Sequence, residues 1–191
     1  LWRATDDLVA KWRADRDEFG LGIADVLDRM AARAPAASHG PGGWNDPDML
    51  QIGNGPRSGQ SEHEAVDVQR PLTRAERRTH FAFWCLLAAP LMVGADLTSL
   101  SDFDRELLTN RRLLAIDQDP LGIQGTPDRR DGDAEVWSKR LADGGAAVAF
   151  HNRGDAEHEI STHVSAVDVP VGADRYRVCD CWTGNEWETD G

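Results

Sequence analysis

Gly42-Gly-Trp-Asn-Asp-Pro-Asp-Met-Leu50 sets two carboxylates, an indole, an amide and a thioether in one short run behind a glycine pair. Pro47 has no N–H and pushes Asp46 out of the helical region into an extended conformation, so the run is not the middle of a helix. Asn, Asp, Gly and Pro also build surface turns. A surface turn, however, gives no reason for Trp44, Met49, Leu50 and Ile52 to share the stretch. The run therefore reads as the end of a buried strand that spills polar side chains into a cleft, with Asp46 and Asp48 two apart.

Working outward, residues 6–16 read as a short charged helical segment. Leu21, Ile23, Ala24, Leu27, Met30 and Ala31 fall near helical spacing, which predicts an amphipathic helix that stops before Pro35. Residues 54–71 form a polar, Gly-rich loop long enough for an insertion or a lid. Thr73-Arg-Ala-Glu76 has the form of a capping box, and the helix it opens is apolar on every side by residues 81–89. Leu91-Met-Val reads as a short buried strand, and residues 101–116 as one or two Leu-rich helices. Beyond Gln118-Asp-Pro-Leu-Gly122 the grammar changes. Residues 136–141, 146–151, 158–163 and 175–182 are short strand-like runs separated by turn signals, which suggests an antiparallel sheet or sandwich. The layout is strand, helix, strand, helix, strand, helix, and then all β. A boundary near 121 follows, with residues 1–121 as an α/β unit and 122–191 as a β unit.

The chain has 191 residues, 40% hydrophobic and 28% charged, enough for a sizeable core in one or two domains. A net charge of −12, with the basic residues scattered, argues against a nucleic-acid or anionic-membrane footprint. The longest weakly polar stretch, residues 81–95, is interrupted by Pro90 and Gly94 and is too short to cross a bilayer as a helix. Cys85, Cys179 and Cys181 make neither a disulfide framework nor a zinc pattern. The 179/181 spacing suggests that those two thiols simply pack on one face of a strand. His63, between Glu62 and Glu64, reads as part of an exposed charged loop rather than as a metal ligand, since no partner ligands are in view.

Alternating strands and helices with polar clusters just beyond strand ends is how a (β/α)₈ barrel presents its active site. Two such ends are visible: Trp2-Arg3 followed by Asp6 and Asp7, and the 44–49 run. Carboxylates on neighbouring strand ends, beside an arginine and indoles, suit sugar chemistry. An oxocarbenium-like transition state needs one carboxyl to protonate the leaving oxygen and another to meet the anomeric carbon. A plainer role competes: the residues alone favour Asp6 and Asp7 as helix N-terminal acids offsetting the dipole.

Three stretches carry a resemblance that reverses this preference: residues 42–50, Leu86-Leu-Ala-Ala-Pro-Leu-Met-Val-Gly-Ala-Asp-Leu97, and Ala115-Ile-Asp-Gln-Asp-Pro-Leu-Gly122. In this order they resemble glycoside hydrolase family 27, the α-galactosidases and α-N-acetylgalactosaminidases. The resemblance implies an α/β fold, the C-terminal portion of a (β/α)₈ TIM barrel, followed by an antiparallel all-β sandwich domain. It implies a retaining hydrolase that releases terminal α-linked galactose. Its general acid/base is the Asp four residues after the Arg of a Trp-Arg pair, which is Asp7 here, although Asp6 takes a position the family usually gives to a small residue. Arg3, Asp48 and Met49 match substrate-binding residues of the galactose pocket, whereas Asp46 matches a structural position at the strand end. The family's nucleophile, an Asp on an earlier strand, has no counterpart in these residues, so the chain reads as a C-terminal fragment. The implied partner is a galactoside, as an oligosaccharide or glycoconjugate, and no metal or organic cofactor is implied. The alternative is a non-catalytic carbohydrate-binding or structural relative. Within the enzyme class, α-N-acetylgalactosaminidase and β-L-arabinopyranosidase activities remain open, and the sequence leaves compartment and oligomeric state open as well.

Overall fold

Pro47 and the Gly42-Gly43 pair before it leave only two residues of regular strand in the opening run. In a computed structural model describing residues 2–14, 19–33, 40–54, 72–167, 169 and 172–190, β1 (Trp2–Arg3) lies parallel to β2 (Asn45–Asp46). Trp2 pairs with Asn45 and Arg3 with Asp46. Parallel bridges at Leu8–Leu21 and Leu50–Val93 carry the same pattern to either side. Between the two strands runs α1 (Ile23–Arg33), whose apolar stripe of Ile23, Val26, Leu27 and Met30 is fully buried. α2 (Arg74–Leu86) opens on the expected capping box, with Thr73 Oγ1 accepting the Glu76 N–H and Glu76 accepting the Thr73 N–H. α3 (Asp102–Leu108) is capped by Ser101 and α4 (Arg111–Asp117) by Asn110, so the Leu-rich stretch is two helices.

β3 (Thr126–Asp131), β4 (Ala134–Arg140) and β5 (Ala146–Asn152) form an antiparallel sheet in that order. β6 (Arg175–Cys179) and β7 (Glu186–Asp190) form a separate hairpin. The sheet rests on the helices: Trp137 of β4 meets Phe83 of α2 edge-on at 5.1 Å. A single cluster, from Leu8 and Leu27 through Trp84 to Trp137 and Ala147, joins the helical half to the sheet.

Several expectations are corrected. Residues 6–14 are not helical. Their backbone bonds are made across the chain instead, from Val9 N to Leu21 O, Ile23 N to Lys11 O and Ala24 N to Trp12 O. Residues 91–93 contribute one bridge and stay half-exposed rather than forming a buried strand. Residues 158–163 form no strand. The 175–182 run ends at Cys179, because Asp180 turns the chain by accepting the Trp182 N–H and the Thr183 hydroxyl. Cys179 is therefore exposed while Cys181 is half-buried, so the two thiols do not share a packing face. Most of the proposed lid at 54–71, and His63 with it, lies outside the described residues.

Candidate active site

The strand ends bring three of the four expected site residues into one ionic cluster. Arg3, at the end of β1, places Nη2 2.9 Å from Asp7 Oδ1 and 3.0 Å from Asp48 Oδ2. One guanidinium thus bridges two carboxylates of very different exposure, 60% for the Asp7 side chain and 9% for Asp48. Asp6 turns the other way and pairs with Arg29 of α1, which separates the two adjacent aspartates. Asp7 is held in place through its backbone, where its carbonyl accepts the Leu21 N–H at 2.8 Å. Gly20 allows that approach: its φ is +86°, and a Cβ there would stand 2.8 Å from the Asp7 carbonyl oxygen.

Asp48 follows Pro47 with φ +84°, a left-handed conformation uncommon for a residue with a Cβ. Its carboxylate takes the Leu8 N–H at 2.7 Å and the Met49 N–H at 2.8 Å as well as Arg3. An ionised carboxylate offers about four acceptor sites, so these bonds leave room for a further donor. Asp46 is buried, and its Oδ1 accepts the Asp48 N–H at 2.9 Å, the strand-end role anticipated for it. Met49 is 40% exposed and belongs to none of these ionic contacts. An open cleft of 980 Å³ is lined by Arg3, Asp6, Asp7, Phe19 and Arg29 among others. Asp48 and Met49 do not line it, so Arg3 is the link between the cleft and the buried carboxylate.

Two further ties escaped the sequence reading. Trp2 Nε1 donates to Asn45 Oδ1, and Asn45 Nδ2 donates to Gln124 Oε1 at 2.7 Å, fastening both strands to the segment entering the β unit. From α2, Trp84 Nε1 donates to the Asp48 carbonyl at 2.7 Å, and His80 Nε2 accepts the Gln51 N–H at 2.9 Å. Residues 81–89 read from sequence only as an apolar helix surface, and the i, i+4 spacing of His80 and Trp84 was the available signal. Among the described residues, no group of three or more His, Cys, Asp or Glu could hold a metal ion, and no helix is long and apolar enough to cross a membrane.

An exposed carboxyl braced by a guanidinium, next to a buried carboxylate with spare acceptor capacity, can exchange a proton at the cleft while gripping hydroxyl groups. Residues 1–119 match the family model described as alpha galactosidase A, and residues 131–191 match the alpha galactosidase C-terminal beta sandwich domain. An alpha-galactosidase of Oryza sativa subsp. japonica is 35% identical over 190 residues, which cover 100% of this chain and 39% of that protein. An alpha-N-acetylgalactosaminidase of Gallus gallus is 34% identical over 187 residues, covering 96% of this chain and 40% of the relative. The crystal structure of alpha-galactosidase I from Mortierella vinacea superposes with a TM-score of 0.84 over 99% of this chain and 48% of its own. At 22% identity, that last likeness is one of fold. This chain thus spans about two-fifths of the length of the two sequence relatives.

Proposed function

The chain belongs to the α-galactosidase family, glycoside hydrolase family 27, with the C-terminal portion of its (β/α)₈ barrel followed by its antiparallel β sandwich, and on that premise we propose that it forms part of a retaining α-galactosidase. Asp7 serves as general acid/base: it protonates the departing glycosidic oxygen, then takes the proton from the water that releases the sugar. The attacking carboxylate belongs to the part of the family's length that these residues do not span, and stands roughly 5 Å from the Asp7 carboxyl, as retention requires. Arg3 and Asp48 grip sugar hydroxyls, and Met49, outside the cleft that Asp7 lines, borders the sugar beside Asp48. No metal or organic cofactor takes part. We place the boundary between the catalytic and β units at residues 121 and 122.

The observation that carries this reading is the Arg3 guanidinium held between Asp7 and Asp48. It separates the exposed proton donor from the buried hydroxyl acceptor while keeping both on one cation. Its test is steady-state hydrolysis of nitrophenyl α-galactoside by the full-length gene product, with nitrophenyl α-N-acetylgalactosaminide and β-L-arabinopyranoside as competing substrates. Asp7→Asn is expected to lower kcat by about 10²–10⁴-fold with a smaller change in KM. Undiminished turnover in that variant would remove Asp7 from the chemistry. An inert wild type that still binds galactose would favour a non-catalytic carbohydrate-binding protein.

A further inference from the structure

A left-handed backbone at a residue with a Cβ persists only where the surroundings over-determine it, and at Asp48 those surroundings come from α2. The Trp84 indole donates to the Asp48 carbonyl at 2.7 Å. Three residues further along the chain, the Gln51 N–H is accepted by His80 Nε2 at 2.9 Å. His80 and Trp84 are four residues apart, which places them one above the other on a single helix face. Their rings pack edge-on with centroids 4.0 Å apart, and both side chains are fully buried. Neither lines the cleft.

We propose that His80 and Trp84 are positioning residues that hold the Asp48–Gln51 segment so that the Asp48 carboxylate stays locked on Arg3 and on the Leu8 and Met49 amides. The inference rests on the sugar-binding role given above to Asp48, and it extends the site to a helix that does not line the cleft. Burial keeps His80 neutral by pushing its pKa down to about 3. Nε2 therefore stays a hydrogen-bond acceptor across mildly acidic and neutral pH, and the grip does not vary over that range. A carboxylate that holds substrate hydroxyls binds ground state and transition state alike, so loosening it raises KM and spares kcat. That split distinguishes these residues from Asp7, whose loss acts on kcat.

The test uses the full-length gene product and three variants: Trp84→Phe, which keeps an aromatic ring but no donor, His80→Leu, and His80→Gln, which keeps an acceptor at similar reach. The expected result for Trp84→Phe and His80→Leu is a roughly ten-fold rise in KM for nitrophenyl α-galactoside, with kcat within about two-fold. His80→Gln recovers most of the affinity lost in His80→Leu. Amide hydrogen exchange at Leu8 and Met49, whose N–H groups bond the Asp48 carboxylate, reads the same grip with no substrate present, and it speeds up in the two disabling variants. That measurement decides the matter even if the protein hydrolyses none of the sugars tested, so failure of the enzyme reading and failure of the positioning role are separable. Should Trp84→Phe not fold, the two His80 variants carry the same readouts. Wild-type exchange rates at both amides, or a fall in kcat with KM unchanged, would overturn the proposal.

Discussion

At the scale of single residues, the site depends on where backbone can approach backbone. Gly20 faces the Asp7 carbonyl, and an added Cβ would lie 2.8 Å from that oxygen and 2.8 Å from Val9 Cγ1. Gly42 has a similar φ of +94°, but nothing among the described residues stands within 4 Å of its Cβ position. Gly20→Ala is therefore expected to cost roughly 2–3 kcal/mol, combining the strained φ with a clash, whereas Gly42→Ala pays about 1 kcal/mol for conformation alone. Only the first should also lower kcat, because it displaces the backbone that carries Asp7. Thermal melts alongside steady-state kinetics check both halves, and equal kinetic effects in the two variants would refute the placement of Gly20. The residues of the cluster were legible in sequence through their neighbours in the Trp2-Arg3 and Gly42–Leu50 motifs. That Arg3 joins both aspartates, and that Asp6 leaves for Arg29, depends on side-chain directions set by Leu21 and α1, which no local pattern encodes.

At the scale of elements, α2 joins the two halves of the molecule. One face offers His80 and Trp84 to the segment after β2, while Phe83 packs against Trp137 of β4 and the Cys85 carbonyl faces the Lys139 ammonium. Its start is held by the Thr73 box, so Thr73→Ala should lower stability by about 1 kcal/mol with KM unaffected. Its flank is held by Arg77, paired with the buried Asp104 of α3 at 2.5 Å. Asp104→Ala leaves that half-buried guanidinium unpaired and should cost more, about 3–5 kcal/mol. Denaturant midpoints of the two variants test the ranking. α1 and the start of α2 could be read from sequence because helical period and caps are local signals. β3 and β7 could not: Thr-Pro-Asp-Arg-Arg-Asp and Glu-Trp-Glu-Thr-Asp are edge strands with mostly exposed side chains, so nothing in them alternates. The helix expected over residues 6–16 is absent from 6–14 for the converse reason. Its charges suggested a helix, but bonds such as Val9 N to Leu21 O link residues too far apart in sequence for any helical pattern to show.

At the scale of the whole molecule, the β sheet is seated on the helices by an apolar contact with ionic groups on either side. Along β4, Glu135, Trp137 and Lys139 fall on one face. Trp137 meets Phe83; Glu135 joins His151 and Arg153, and Arg153 reaches Asp28 of α1 at 2.8 Å. On the other side Lys139 donates to the Ile116 carbonyl at 2.7 Å, close to Asp117 at the end of α4. The two buried carboxyls respond oppositely to this setting. Burial would push Glu135 up, but hydrogen bonds from His151 and Trp137 and the charge of Arg153 outweigh it and hold the carboxyl below its ordinary range. Glu135 thus stabilises the seat above the ordinary glutamate range, and that contribution is lost as pH falls through its lowered value. Asp117 has one oxygen with no partner among the described residues, and burial, opposed by the Gln118 bond and the Lys139 charge, raises it from 3.8 to about 6. Between those values the folded state keeps a proton the unfolded chain has released. Stability therefore falls as pH rises through that window and stays lowered above it. Asp117→Asn removes the charge and should raise stability by roughly 1–3 kcal/mol at pH 8, with the advantage shrinking towards zero below pH 4. Melting temperatures of wild type and variant at pH 4, 6 and 8 check this. A constant difference across the series would mean that the titration of Asp117 is not its source, and a loss at pH 8 would mean that Lys139 needs the ionised partner to seat the sheet.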